Sequence, residues 1–463
     1  MGAFNSFMEA RFMPIAARIG SQKHLVAIRD AFIAIMPITM VGSIAVLLNV
    51  FLRDLPNQAG MTGFVKAMGP IISVNGNVYF GSIVILALAF VFALGYNLSK
   101  TYEVNAIAGG VIAFASLVTC MGQSASFSYE LPGVAAAAAD QLKGLGLDVA
   151  ATTGGGVALN GVSGWGYLGS AYTGSGGLFT ALIMGFICTM IYIKLMQKKV
   201  TINLPDSVPP AVSKAFAAIV PGVIAIYVAG ILTQICITAT GSTINEMVLK
   251  YIQRPLLSLS QGFFSVILMV FLIQLLWFFG LHGHNVLAPI MDGIYLTALN
   301  QNIEAFTANQ STAGLPYLWT RGSFDAYCQM GGSGITLGLI IAIFLFSKRD
   351  DQRAIAKLSW PMGVFNINEP ITFGMPIVLN PVYLIPWLIV PPICATIAYG
   401  ATAIGLIPPV FVAVPWVMPA GIYAFLATGG NFMAALVSLF NLFISFIIWT
   451  PFVMMANKMK EES

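Results

Sequence analysis

Gly363-Val364-Phe365-Asn366-Ile367-Asn368-Glu369-Pro370-Ile371-Thr372-Phe373-Gly374-Met375-Pro376 sets one carboxylate, two asparagines and two prolines inside an apolar run. Pro370 and Pro376 each lack a backbone donor and interrupt regular helix. Freed backbone groups at membrane depth are tolerated only where protein or a water-filled cavity surrounds them. The stretch therefore reads as a re-entrant hairpin or broken helix lining a site. The competing reading is a cytoplasmic loop with a solvated Glu369, and the apolar residues on both sides weigh against it.

Composition decides which solvent surrounds this stretch. Of 463 residues, 58% are hydrophobic and 8% charged, whereas soluble domains carry about 25% charged residues. That is too little charge to cover a water-facing surface. It excludes a soluble enzyme, a nucleic-acid binder and a disordered chain, and a net charge of +4 offers nucleic acid little. The 46 glycines and 24 prolines suit a polytopic membrane protein with broken helices.

A span needs roughly 20 apolar residues. Clear candidates are 31–52, 79–99, 104–121, 178–195, 215–239, 263–281, 335–346 and 433–455. Two further stretches are ambiguous: 286–299, interrupted by Asp292, and 371–414, cut by prolines. Fifteen Lys and Arg side chains fall on one set of termini and loops and five on the other, with Arg321 unassigned. The positive-inside bias places both termini in the cytoplasm and requires an even number of crossings. Ten satisfy it if each ambiguous stretch crosses once. The expected fold class is all-α, polytopic, with about ten transmembrane helices.

The chain divides accordingly. Residues 1–27 form an N-terminal cytoplasmic segment, in which Phe4, Met8, Phe12, Ile15 and Ile19 repeat at helical spacing and suit an amphipathic helix on the membrane surface. Glu9, Arg11 and Arg18 interrupt any signal-peptide core. Residues 28–200 form a first-half scaffold with a Gly/Ala/Ser-rich extracellular stretch at 122–177. Residues 201–213, with Pro205, Pro209 and Pro210, are a cytoplasmic connector. Residues 214–463 hold the fifth span, an amphipathic segment and the working half, where His282, His284, Asp292, Asp325 and Glu369 sit in or near apolar surroundings. Ionisable groups at membrane depth are costly and are functional candidates by default.

Three further patterns bear on chemistry. Trp277-Phe278-Phe279-Gly280-Leu281-His282-Gly283-His284-Asn285 ends an apolar span, with glycines flanking His282 so that the backbone can unwind and bring an imidazole to a ligand. Its bland counterpart is an interface histidine at a helix end, with Trp277 as an ordinary anchor. Gly331-Gly332-Ser333-Gly334-Ile335-Thr336-Leu337-Gly338 lacks the βαβ context of a nucleotide loop and reads as close helix packing or a backbone-lined cavity. Arg321 and Asp325 can pair at i,i+4, a purely structural role. The five cysteines (Cys120, Cys188, Cys236, Cys328, Cys394) form no CxxC and suit packing. No Walker motif, metal spacing or nucleophile elbow occurs, so neither cofactor nor metal is expected, and transport energy must come from an ion gradient or another polypeptide.

Taken in order along the chain, Ala27–Phe32, Ile202–Pro209, Trp277–Gly283, Gly331–Leu339, Ile367–Pro381 and Pro415–Pro419 resemble the membrane-embedded IIC component of bacterial phosphoenolpyruvate-dependent sugar phosphotransferase systems, in the lactose/cellobiose/diacetylchitobiose branch. The resemblance implies ten membrane helices with re-entrant hairpins and a homodimer formed through the first half. It also implies one occluded disaccharide site in the second half. On this resemblance the sugar is expected to be imported and phosphorylated on its C6 hydroxyl by a phosphocysteine on a cytoplasmic IIB protein. With no soluble domain after the last span, IIB and IIA are expected as separate chains, and no cysteine here should carry phosphate. The family's usual signature ends at its first Gly-x-His-Gly, so its histidine role falls on His282; His284 is a departure that bears on sugar preference. Cellobiose is the first expectation, then diacetylchitobiose, then lactose.

A sugar in a membrane needs polar partners for its hydroxyls and flat apolar surfaces for its ring faces. The expected surfaces are Trp277 and Trp416. Asn368, His282 and Glu369 are expected to supply hydrogen bonds, with His284 beside them. Glu369 is the expected base at the C6 hydroxyl, and His282 the group that orients it or balances phosphate charge. The rival class is an ion-coupled secondary transporter using Asp292, Glu369 and His282 as a proton relay.

Overall fold

The computed structural model describes residues 21–152, 156–205, 207–375 and 377–457. The amphipathic repeat at Phe4–Ile19 lies outside the described residues. Lys23–Asn49 opens the described chain, its N-terminus capped by Gln22 Oε1, which accepts from the Leu25 amide at 2.7 Å.

Among the described residues, seven helices are long and apolar enough to cross a bilayer: Lys23–Asn57, Gly69–Thr101, Ser175–Gln197, Pro210–Thr240, Arg321–Phe346, Val382–Ala403 and Phe432–Ala456. An eighth results if Ile244–Ser260 and Phe263–Phe278, which meet at 76°, count as one. Ala106–Thr119 is apolar but short; its 14 residues reach only about 21 Å at 1.5 Å per residue.

The two ambiguous stretches resolve differently. Pro381–Ala403 runs as one helix despite Pro386, Pro391 and Pro392; neighbouring helices can satisfy the backbone groups that such prolines free. Residues 286–299 lie within a longer helical run, Gly283–Ile290, then the π-helical Met291–Leu296, then Thr297–Asn309. Asp292 sits in the π segment, an irregularity often found at functional sites. The apolar run 335–346 is too short to cross alone; Arg321–Cys328 extends it across a glycine-rich break.

One expectation needs correction: the fold is not purely α-helical. Within 122–177 lies a three-stranded antiparallel sheet of order β1-β3-β2, with β1 Ser124–Ala135, β2 Val149–Ala151 and β3 Gly156–Trp165. Ser124 pairs with Trp165 and Tyr129 with Leu159. Ser124-Ala125-Ser126-Phe127-Ser128-Tyr129 alternates polar and apolar residues, the period-2 signal of a half-buried strand. Ala139, Val149 and Val157 form its small separate core. An open sheet edge needs water, so this module cannot sit in the hydrocarbon region.

The helices bury two larger cores. The first draws on residues 27–248, including Phe32, Phe90, Leu94, Leu117, Cys188 and Tyr192, and takes in the helix Ile219–Thr240 through Ala225 and Ala229. The second is built almost wholly from residues 266–456, with Trp319, Trp387 and Trp449 fully buried. The cysteines suit the packing role: all are unpaired and four are buried.

Candidate functional site

Three breaks in the second-half helices face one another. The first follows Phe263–Phe278. Gly280 turns the chain at φ +77°, and His282 then starts the next helix, its Nδ1 accepting from the Asn285 amide at 3.3 Å. A Cβ on Gly283 would lie 2.2 Å from the Ile273 carbonyl oxygen, so only glycine lets this segment fold back on the preceding helix. The second break joins Arg321–Cys328 to Thr336–Phe346 through Gly331, Gly332, Gly334 and Ile335, all at positive φ. A Cβ on Gly332 would meet the Asn368 side chain at 2.6 Å, and one on Gly334 the Trp387 ring at 2.6 Å. Both expectations for this glycine run hold: it packs closely, and Gly332 and Ser333 line a cavity. The third break separates Asp350–Val364 from the short helix Glu369–Gly374, as the opening stretch predicted.

Asn366 ties these segments together. It takes the left-handed conformation at φ +64°, which asparagine tolerates better than most side chains. Its Oδ1 accepts from the Gly331 amide at 2.9 Å, while its Nδ2 donates to the carbonyls of Trp416 at 2.6 Å and Met418 at 2.8 Å. Asn368 is 4% exposed and uses its amide nitrogen on Ser333 O at 3.2 Å and Thr372 Oγ1 at 3.1 Å. Its Oδ1 makes no hydrogen bond among the described residues. Asn366→Ala should lower the protein's thermal midpoint in detergent, because it orphans three backbone groups at roughly 1–3 kcal/mol each where they stay dry. It should also weaken ligand binding through Trp416; a variant with wild-type melting and binding would refute that role.

The breaks enclose a cavity of about 380 Å³, within the usual range of roughly 300–1,000 Å³ for small-molecule sites. All six residues singled out from sequence line it: Trp277, His282, His284, Asn368, Glu369 and Trp416. Trp277 is nearly buried, its ring 4.5 Å from that of His282, and its Nε1 donates to His284 Nδ1 at 3.4 Å. The other nitrogen of His284 meets the Gln329 amide, so both its ring nitrogens have protein partners. Trp416 is half-exposed in an irregular segment.

Sequence reasoning missed several wall residues. Phe32, Met36 and Thr39 on the first helix close one side, so the first half contributes to the cavity. Arg321 pairs with Asp325 at 2.8 Å, as its i,i+4 spacing foretold, but its Nε also lies 3.5 Å from Asp292 Oδ1. All three line the cavity. Nothing local to Arg321 signals a partner on a different helix.

Comparison with known proteins agrees with this architecture. The family model "Phosphotransferase system, EIIC" matches residues 29–391. A cellobiose-specific EIIC component of Lactococcus lactis is 40% identical, covering 100% of this chain and 99% of that protein. An oligo-beta-mannoside-specific EIIC component of Bacillus subtilis is 33% identical, over 96% and 92%. The crystal structure of ChbC, the IIC component of the N,N'-diacetylchitobiose-specific phosphotransferase system, superposes with a TM-score of 0.84 at 32% identity, over 98% of both chains. With a family match over most of its length and full-length relatives above 30% identity, the chain belongs to the EIIC family of membrane-embedded phosphotransferase system components.

Proposed function

We propose that this chain is the permease for a β-linked disaccharide, cellobiose first and diacetylchitobiose second, coupled to phosphorylation of the C6 hydroxyl by a separate phospho-IIB protein. The observation that carries the reading is the convergence of Glu369, His282, Asn368 and two tryptophans on one cavity of disaccharide scale. The names of the relatives support the sugar class. The reading includes ten crossings: the seven long helices, Ala106–Thr119, Phe263–Phe278 and the run from 283 to 309. It also includes cytoplasmic termini and a homodimer through the first half, whose exposed apolar residues include Ile107, Val111 and Phe114.

The residues divide the chemistry. Because His282 Nδ1 accepts from the Asn285 amide, the neutral ring carries its proton on Nε2. Nε2 is therefore a donor. It can orient the C6 oxygen or meet a phosphoryl oxygen, but it cannot take the hydroxyl proton. That task falls to Glu369. Its carboxylate accepts the O6 proton as the O6–P bond forms and the S–P bond to the donor cysteine of IIB breaks. Such transfer depends chiefly on alignment and charge stabilisation. Trp277 and Trp416 supply the ring surfaces.

The test is direct binding of cellobiose, diacetylchitobiose and lactose to the purified protein, followed by incubation with phospho-IIB. The expected order of affinity is cellobiose, diacetylchitobiose, lactose, with a sugar 6-phosphate as product. Binding of none of the three would overturn the reading. Uptake that persists without the phosphate relay and collapses with an uncoupler would favour the ion-coupled alternative.

A further inference from the structure

The cavity has a polar group that the phosphoryl chemistry leaves unused. Arg321 stands between two carboxylates that it serves unequally. Asp325 receives Arg321 Nη1 on both oxygens, at 2.8 and 2.9 Å, and the Tyr423 hydroxyl at 3.5 Å. Asp292 receives only the Arg321 Nε contact, at 3.5 Å. No other hydrogen bond or ion pair reaches Asp292 among the described residues. Two carboxyl groups share one guanidinium beside Met291, Leu296 and Leu299 of the same cavity lining. A triad that served only to tie helices would pair both acids fully, since an under-bonded acceptor out of bulk water is costly. The Asp292 side chain is instead 21% exposed and lines the cavity.

The residues that share its cavity give this site its place. His282 packs against His284 with ring centroids 5.9 Å apart, and Glu369, Arg321 and Asp292 line the same cavity as the two histidines. On the disaccharide reading Glu369 marks the phosphoryl-transfer side, and Asp292 joins the same lining from a different helical segment.

We propose that Asp292, held by Arg321, is the recognition site for the second sugar ring, accepting hydrogen bonds from its hydroxyls. The assignment rests on the disaccharide reading above and deepens it. Once the Glu369 side holds the ring to be phosphorylated, the distal ring lies towards Asp292. A carboxylate with free lone pairs accepts from hydroxyls in charge-assisted bonds, roughly twice as strong as neutral ones. An apolar group placed there would leave the carboxylate desolvated and unpaired. Asp292 is therefore a specificity residue, and Arg321 positions it.

The discriminating probe is phenyl β-glucoside, which keeps the first ring and replaces the second with an apolar one. Binding is measured to the purified full chain in detergent. The unaltered protein should bind cellobiose at least about tenfold more tightly than phenyl β-glucoside, the effect of one well-made charged hydrogen bond. In Asp292→Asn, cellobiose binding should weaken and the ratio should fall towards one. Phenyl β-glucoside binding as tightly as cellobiose to the unaltered protein overturns the assignment, and that measurement needs no variant to fold. So does an unchanged ratio in Asp292→Asn, or equal weakening of both ligands, which would mark a general structural role. Failure of the unaltered protein to bind either ligand is a different result: it sinks the disaccharide reading itself.

Discussion

Glu369→Gln is expected to bind sugar within a few-fold of the unaltered protein and to transfer phosphate roughly a thousandfold more slowly, since a positioned general base contributes about 10²–10⁴-fold. The substitution conserves shape and keeps an acceptor oxygen, but an amide cannot take the O6 proton. The local structure should survive it. Glu369 opens a short helix and is followed by Pro370 in the first turn, and no hydrogen bond or ion pair of its side chain holds the fold among the described residues. The measurement is formation of sugar 6-phosphate in membrane vesicles supplied with phospho-IIB, alongside equilibrium binding. Normal phosphorylation in this variant removes Glu369 as the base. Equal loss of binding and phosphorylation assigns it to ligand contact alone.

His282→Ala should weaken sugar binding by about 10–100-fold, the range for one or two hydrogen bonds lost from a desolvated site. Alanine removes two things at once: the Nε2 donor proposed for the sugar and the Nδ1 cap on the Asn285 amide. His282→Asn separates them. Asparagine is among the best N-cap residues, so it restores the helix start, but its shorter side chain cannot place a donor where Nε2 stood. Binding that stays weak in His282→Asn, with thermal stability recovered relative to His282→Ala, assigns the imidazole to the ligand. Full recovery of binding in His282→Asn would reduce His282 to a helix cap, the bland reading that its position at a helix end already allowed.

Much of the candidate site is legible in the sequence because its residues are expensive where they stand. A carboxylate, two histidines and an asparagine inside apolar runs carry a desolvation cost visible without knowing the fold, and all line one cavity. Aromatic residues beside them were a weaker signal, yet Trp277 and Trp416 are there too. The π-helical placement of Asp292 was not legible, since its apolar surroundings suit either a span or an interruption. The sheet at 124–165 was missed because small residues dominate the stretch and blur its alternation. The unbroken helix Pro381–Ala403 went unresolved because proline's local preference is overridden when packed neighbours supply the lost hydrogen bonds.

Composition and residue order alone set the solvent, the family resemblance and the identity of the groups that a bilayer makes costly. Those follow from composition, order and burial energy, which belong to each residue and its neighbours along the chain. Which of these groups meet was settled by folding. Asn366 joins Gly331 to Trp416 and Met418 across 35 to 52 positions, and Arg321 reaches Asp292 on another helix. Such pairings depend on where the broken helices turn and how the halves pack. Side-chain atoms a few ångströms apart in space leave no periodic mark in the order of the residues that bear them.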